Sequence, residues 1–294
     1  MKNEKDINQY FMAENKAEQL TLKAEYIRRR ILEIVNSAKS GHIGGDLSSV
    51  DLLVALYFSQ LNVNPNDPDM EDRDRFIMSK GHNVEALYAV LESAGFISSD
   101  LLATYGKYNS PLAGHPTHKI PGIEFNNGSL GHGLSLGVGV ALSAKMTGKA
   151  FKTYVLMGDG EQAEGSIYEA AMSGSHYQLD NLVAFIDRNG LQISGSTEDV
   201  MQLEPVDKRW ESFGWEVFTI NGNNMDEILD VLKRLDWNAK KPHLIIMKTT
   251  KGKGVSFMEN DPVWHHGVPS DEQFHRAIRE IDQRINACNA TFNV

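Results

Sequence analysis

Tyr154-Val155-Leu156-Met157-Gly158-Asp159-Gly160 and Leu182-Val183-Ala184-Phe185-Ile186-Asp187-Arg188-Asn189 decide the reading of this chain. Each is an unbroken apolar run that opens onto a polar loop, and a helix-like stretch, Ser166 to Tyr177, lies between them. A half-exposed strand alternates apolar and polar residues, whereas a strand that is apolar throughout needs cover on both faces. Downstream, Trp215 to Ile220 and His243-Leu244-Ile245-Ile246-Met247 repeat the pattern around a helix-like Met225 to Leu235. The expected fold class is α/β: a doubly wound, mainly parallel sheet with helices on both faces, built by residues 1–294 as a single domain with an N-terminal helical segment.

Upstream of these runs, Leu20 to Ser37 carries a helical stripe interrupted by Arg28, Arg29 and Arg30, which predicts a surface or interface helix. Asp46 or Ser48 is the predicted cap of a second helix. Phe76-Ile77-Met78 is a short apolar run, Val84 to Leu91 reads as helix, and Ser135 to Met146 reads as a helix packed closely through Gly137 and Gly139.

The 294 residues carry 29 Lys+Arg against 39 Asp+Glu, a formal charge of -10 that disfavours general binding to nucleic acid or anionic membrane. One cysteine, Cys288, excludes an intramolecular disulfide. Met1 to Gln19 lacks the apolar core of a secretory signal, and no apolar run approaches the roughly 18 residues of a membrane span. A cytoplasmic location is expected.

In a doubly wound sheet, ligands gather where strands end. Gly158-Asp159-Gly160 follows one strand, and Asn189 follows the next, 30 positions after Asp159. The glycines would let backbone N–H groups approach a phosphate. Asp159 would then set a carboxylate beside it, a repulsion of roughly several kcal/mol if water is excluded. A divalent cation reverses the sign, because magnesium takes oxygen ligands from carboxylate, amide, phosphate and water. The loop pair therefore predicts magnesium diphosphate binding. Asp187 ends a strand where a dinucleotide fold holds ribose, and Gly131, Gly133 and Gly137 add to that pattern, so an NAD-dependent oxidoreductase is the alternative of a different class. No convincing strand precedes Gly131.

Gly158-Asp159-Gly160 with Asn189 resembles the thiamine diphosphate motif. Ser40-Gly41-His42, Ser79-Lys80-Gly81-His82, Gly114-His115-Pro116, Gly128-Ser129-Leu130-Gly131-His132-Gly133 and His266-Gly267-Val268-Pro269, in that order, resemble transketolases across about Ala24 to Gln273. The resemblance implies a thiamine diphosphate domain of the diphosphate-binding type. It implies that Asp159, Asn189 and the backbone carbonyl of Leu191 hold Mg2+, or another divalent cation such as Ca2+ or Mn2+. Gly158, Gly160 and His82 would contact the diphosphate, and Gly128 and Leu130 would line the thiamine ring region. His42, His115 and His266 would be catalytic, facing a phosphorylated sugar, while Glu164 would join an acidic network between paired sites.

Full-length transketolases continue into a pyrimidine-binding domain, which supplies the activating glutamate, and a C-terminal domain. This chain ends at Val294. The resemblance therefore implies the N-terminal subunit of a split transketolase, active only with a C-terminal transketolase subunit in an α2β2 assembly. A specialised sugar-catabolic transketolase fits beside the pentose-phosphate enzyme. A deoxyxylulose phosphate type of synthase and the E1 subunits of oxidative dehydrogenases match the histidine set less well, and retention of the motifs speaks against a non-enzymatic binding subunit. Of the remaining residues, His118, His176, His243 and His275 read as structural or surface groups, and His265 as a neighbour of His266. Trp264 reads as an interface or packing residue rather than a catalytic one. The lysines of Lys248 to Gly254 read as solvated, although a diphosphate or sugar phosphate could use one.

Overall fold

The computed structural model describes residues 16–292, so the polar start of the chain, residues 1–15, lies outside it. Its centre is a parallel sheet of β1 (Arg75–Met78), β2 (Thr153–Gly158), β3 (Leu182–Arg188), β6 (Glu216–Asn221) and β7 (His243–Lys248), in the order β1-β2-β3-β7-β6. A two-residue-per-strand hairpin, β4 (Leu191–Gln192) with β5 (Gly195–Ser196), stands apart from it. The helices are α1 (Lys16–Ala38), α2 (Ile43–Ala55), α3 (Val84–Ala94), α4 (Ser99–Leu102), α5 (Gly133–Thr147), α6 (Gly165–His176), α7 (Thr197–Val200), α8 (Val206–Ser212), α9 (Met225–Arg234) and α10 (Asp271–Phe292).

Side chains explain the layering. Along β2, Tyr154 and Leu156 point into one apolar core while Val155 and Met157 point into another; β3 and β7 alternate in the same way. The first core is completed by α1, α2, α3 and α9, and the second by α5 and α6. In β2, β3 and β7 the apolar runs are thus strands covered twice, as expected, whereas β6, at the sheet edge, is half-buried.

The arginine triplet, expected on a surface or interface helix, faces neighbouring helices: Arg28 is buried and paired with Glu25 and with Asp51 of α2. Arg29 reaches Asp282 of α10 at 3.0 Å and Arg30 reaches Glu92 of α3 at 2.7 Å, so the triplet joins α1 to three neighbouring helices. Neither Asp46 nor Ser48 caps α2. The helix begins earlier, with His42 at the cap position, because glycines let it dock closely: a Cβ on Gly44 would lie 2.6 Å from the Trp264 carbonyl oxygen. Asp46 instead accepts the Ala86 N–H at 2.9 Å. Of Gly137 and Gly139 in α5, Gly137 packs closely, since a Cβ there would fall 2.5 Å from Val155 Cγ2, whereas Gly139 faces open space. Trp264 packs as expected, buried with Nε1 donating to the Phe257 carbonyl at 3.1 Å.

Candidate active site

Register brings the chemistry to one edge. Gly158 of β2 lies beside Asp187 of β3, and Arg188 lies beside Lys248 of β7, so the loops that follow all three strands meet at their carboxyl ends. Asp159 is 3 % exposed there. Its Oδ1 accepts the Gly160 N–H at 2.8 Å, and its Oδ2 accepts the Gly190 N–H at 2.6 Å. Gly190 makes that turn at φ +81°, a conformation suited to glycine. Burial, and then the neighbouring Asp187 carboxylate, push the Asp159 carboxyl above its usual range. A carboxylate in this position favours a nearby cation.

Asn189 is turned the right way to help. Its Nδ2 donates to Asp187 Oδ2 at 3.3 Å, which leaves Oδ1 as the outward group, accepting the Leu191 N–H at 3.1 Å. Among the described residues no three His, Cys, Asp or Glu side chains converge as a metal site. The Asp159 carboxylate and the Asn189 amide oxygen, at the ends of adjoining strands, are oxygen donors of the kind a divalent ion takes beside phosphate and water. Asp187 itself is fully buried. Burial works against its charge, but Lys80, Ser48 and Thr249, all hydrogen-bonded to it, hold its carboxyl below the usual range. It is an internal anchor, unavailable to a ribose, which removes the residue that favoured a dinucleotide.

Beside this loop pair lies a cluster of imidazoles. The His42 ring centroid is 4.6 Å from His266, 5.2 Å from His82 and 6.3 Å from His115. His266 is placed by a bridge between His42 and Gly267, with the Gly267 N–H donating to the Gly41 carbonyl at 3.2 Å. His42 and His82 are half-buried, whereas His115 and His266 are exposed, so the cluster has an open side. The segment Gly128 to Gly133 closes another side: a Cβ on Gly128 would sit 2.9 Å from His115 Cδ2, and half-buried Leu130 follows. Exposed His132 bonds only the Leu130 carbonyl, at 3.0 Å, and makes no ring contact with the cluster. His118 and His275 are surface groups, and buried His243 bonds Glu216 at 2.8 Å.

Two readings of this region change. His265 is a member of the cluster: it stacks on His82 at 5.4 Å and lies 5.8 Å from His42. Lys251 is 2 % exposed, with Nζ 3.0 Å from His265 Nδ1, while Lys248 is the solvated lysine. The inner rings also depart from an ordinary imidazole. Burial, followed by nearby positive groups, lowers His42 to about 4, His265 to about 3 and His82 to about 2. At neutral pH these rings are uncharged, each able to donate from one nitrogen and accept at the other.

One functional residue escaped the sequence. Glu161 is buried two positions after Asp159, and its carboxylate accepts the Ser79 hydroxyl, the Gly131 N–H at 2.8 Å and the Gly158 N–H at 2.9 Å. It ties the Gly128–Gly133 segment to the ends of β1 and β2. Its only sequence signal was an acid in a glycine-rich loop, which does not say that the side chain turns inward. Glu164 is exposed at the start of α6, with its Cβ 2.7 Å from where a Cβ on Gly131 would lie.

Residues 20–286 match the family described as transketolase, thiamine diphosphate binding domain. The chain belongs to the transketolase family. Its α/β fold is that of solved transketolases: the Campylobacter jejuni enzyme is 32% identical with a TM-score of 0.84, over 90% of this chain and 43% of that one. It is 59% identical to an apulose-4-phosphate transketolase subunit of Phocaeicola vulgatus, over 91% of this chain and 95% of that protein. A 6-deoxy-6-sulfo-D-fructose transketolase subunit of Clostridium sp. is 39% identical, over 88% and 95%. Human transketolase is 35% identical, and there the match spans 90% of this chain but 42% of the longer protein. As a member of this family the chain is a transferase component with a thiamine diphosphate-binding domain. Among the described residues no helix is long and apolar enough to cross a membrane.

Proposed function

We propose that this chain is the thiamine diphosphate-binding subunit of a two-chain transketolase, which transfers a two-carbon ketol unit from a phosphorylated ketose to an aldose. One observation carries the reading. Asp159 and Asn189 stand at adjoining strand ends, on a chain that also gathers His42, His82, His115, His265 and His266 into a cluster with an open side. When bound, thiamine diphosphate supplies a stabilised carbanion that carries the two-carbon unit, and the protein's part is binding, orientation and proton handling.

Asp159, Asn189 and the Leu191 carbonyl hold a divalent cation, Mg2+ or an ion such as Ca2+ or Mn2+, and through it the diphosphate. Gly158 and Gly160 keep side chains out of the diphosphate's approach, and His82 hydrogen-bonds it. The Gly128 to Leu130 segment, pinned by Glu161, lines the thiamine ring region. His42, His115 and His266 hydrogen-bond the sugar hydroxyls and oxygens where charge develops. Exposed His266 and His115 are best placed to exchange protons, because half-buried His42 resists protonation in the free chain.

Coverage supports the two-chain reading, since the match runs through 95% of a relative that is itself named as a transketolase subunit and 42% of human transketolase. A partner carrying the pyrimidine-binding and C-terminal domains completes the site, in an α2β2 assembly. The names of the similar subunits make apulose 4-phosphate and sulfofructose the first sugars to try, which favours a specialised catabolic enzyme. The test is co-purification with a companion chain, followed by a panel of phosphorylated ketoses and 6-deoxy-6-sulfo-D-fructose. Ketol transfer should appear only when both chains are present. Full activity from this chain alone, or none from the pair on any ketose, would contradict the proposal.

A further inference from the structure

Two buried carboxyl groups adjoin the backbone of the histidine cluster. Asp46 of α2 is 0 % exposed and Glu85 of α3 is 1 % exposed. One oxygen of each has a donor: Asp46 Oδ1 accepts the Ala86 N–H at 2.9 Å, and Glu85 Oε1 accepts the Tyr105 hydroxyl at 2.6 Å. The other two, Asp46 Oδ2 and Glu85 Oε2, are buried with no donor among the described residues, although the two carboxyls are in hydrogen-bonding contact. An orphaned buried acceptor is costly, and two like charges in one dry site are costlier. Lys80 is the cation that faces Asp46, but it already pairs with Asp187. A single proton between the carboxyls removes both costs, since it gives each orphaned oxygen a partner and leaves one negative charge. Burial, and then the Glu85 charge, push the Asp46 carboxyl well above its usual range. Burial raises Glu85 too, but the Tyr105 hydroxyl, its own N–H, Asp46 and the His42 N–H all work against that, so the proton belongs on Asp46.

The place of the pair in the fold says what it does. The start of α3 grips His42 at three points: the His82 carbonyl faces the His42 ring, Asn83 Nδ2 donates to the His42 carbonyl at 3.0 Å, and the Glu85 carboxylate faces the His42 N–H. Gly41 permits the approach, since a Cβ there would lie 2.9 Å from Glu85 Oε1. On its other side Glu85 reaches towards His115. The Tyr105 hydroxyl lies 4.0 Å from where a Cβ on Gly114 would stand. The Tyr105 ring meets that of Tyr88 at 5.7 Å, and the Tyr88 hydroxyl donates to the Ala113 carbonyl at 2.9 Å. One carboxylate thus joins the two loops that carry His42 and His115, and an ionised acceptor holds both donors more strongly than a neutral acid.

We infer that Glu85 is a positioning residue for the sugar-facing histidines His42 and His115, kept ionised by a proton that stays on Asp46. The inference rests on the proposed function and deepens it, by naming what holds the sugar-facing side of that site. The groups that face the pair are Lys80 at Asp46, and Tyr105, Tyr88 and the His42 backbone at Glu85.

The test begins with infrared spectroscopy of the full chain at pH 7. The difference between wild type and Asp46→Asn should carry the carbonyl stretch of a protonated carboxylic acid, because the amide N–H of the variant replaces the shared proton as donor. Hydrogen exchange at the His42 amide should quicken in Glu85→Gln and stay unchanged in Asp46→Asn. In the assembled two-chain enzyme, Glu85→Gln should lower kcat/KM for the ketose by at least about tenfold, as for loss of one charge-assisted hydrogen bond, with thiamine diphosphate affinity within a few-fold of wild type. Asp46→Ala, which leaves Glu85 without its donor, should share that loss, and Asp46→Asn should restore the wild-type value. Tyr105→Phe, a guard against misfolding of the buried-acid variants, should lower kcat/KM in the same direction. A difference spectrum without the acid stretch would overturn the shared proton. Unchanged ketose kinetics and His42 exchange in Glu85→Gln, or equal losses of cofactor and ketose binding, would overturn the positioning role. If the wild-type pair transfers no ketol unit from any sugar, the proposed function falls, while the infrared and exchange measurements, which need no turnover, still decide the inference.

Discussion

Arg188 Nη1 donates to Asp159 Oδ2 across 3.3 Å, while the same guanidinium reaches Glu198 at 2.8 Å and Glu204 at 3.0 Å. Arg188 can therefore yield Asp159 to a cation and remain paired. The buried Asp159 carboxyl has a folded-state pKa raised by burial and by Asp187, so its ionised form costs stability at pH values above the unfolded one. Asp159→Asn removes that cost. Without metal, the variant should melt at or above the wild-type temperature at pH 7. With magnesium and thiamine diphosphate the order should reverse: wild type gains about 2.7 kcal/mol at about 100 times Kd, and the variant gains none. Differential scanning calorimetry with and without ligands checks both halves.

The histidine cluster makes a spectroscopic prediction. In the cofactor-free chain, the rings of His42 and His265 should titrate near 4 and 3 by NMR, well below the ordinary value of about 6.5. The folded pKa values are depressed, so the unfolded chain binds more protons in this window. The stability these rings contribute is complete above pH about 6.5 and is lost as pH falls towards their folded values. Rings that titrate near 6.5 would show the cluster to be wetter than described.

Two glycines two positions apart in α5 form an internal control. Gly137→Ala forces a Cβ to within 2.5 Å of Val155 Cγ2 and should cost about 1–3 kcal/mol. Gly139→Ala meets nothing within 4 Å and should be neutral, or stabilising by up to about 1 kcal/mol. Urea unfolding of the two variants separates them.

The sheet, and the placing of Asp159 and Asn189 at adjoining strand ends, were legible because their signals are local. Continuous apolar runs mark doubly covered strands, and the spacing from Asp159 to Asn189 spans one strand-helix-strand unit. Arg28, Lys251 and His265 were not legible, since a buried charge or ring is defined by partners far away in the chain. Arg28 is interior only because Asp51 of α2 meets it, and Lys251 because it packs on Gly44, whose missing Cβ leaves room. The start of α2 was misplaced for a related reason: Asp46 has the chemistry of a cap but is claimed by the Ala86 N–H of another helix.

Glu161 should prove structural for the cofactor segment. Glu161→Gln replaces an acceptor of three donors with an amide whose own N–H groups oppose Gly131 or Gly158, leaving a buried group unsatisfied at a cost of about 1–3 kcal/mol. Thermal unfolding measures the loss, and faster hydrogen exchange at Gly131 should accompany it.

His266→Ala should behave differently from the loop variants. Its ring is exposed on the open side of the cluster, in contact with His42. Turnover in the assembled enzyme should fall by roughly 100-fold or more, as for loss of a proton-transfer group, with thiamine diphosphate still bound. Steady-state kinetics beside a cofactor titration separates chemistry from binding.

The most direct test of the whole account is calorimetric titration of thiamine diphosphate into the assembled two-chain enzyme with magnesium, after chelation of divalent ions, and with Asp159→Ala. The account predicts binding to wild type in magnesium alone, and its loss in the other two cases. Binding that ignores both the metal and Asp159, or a preference for NAD, would contradict it.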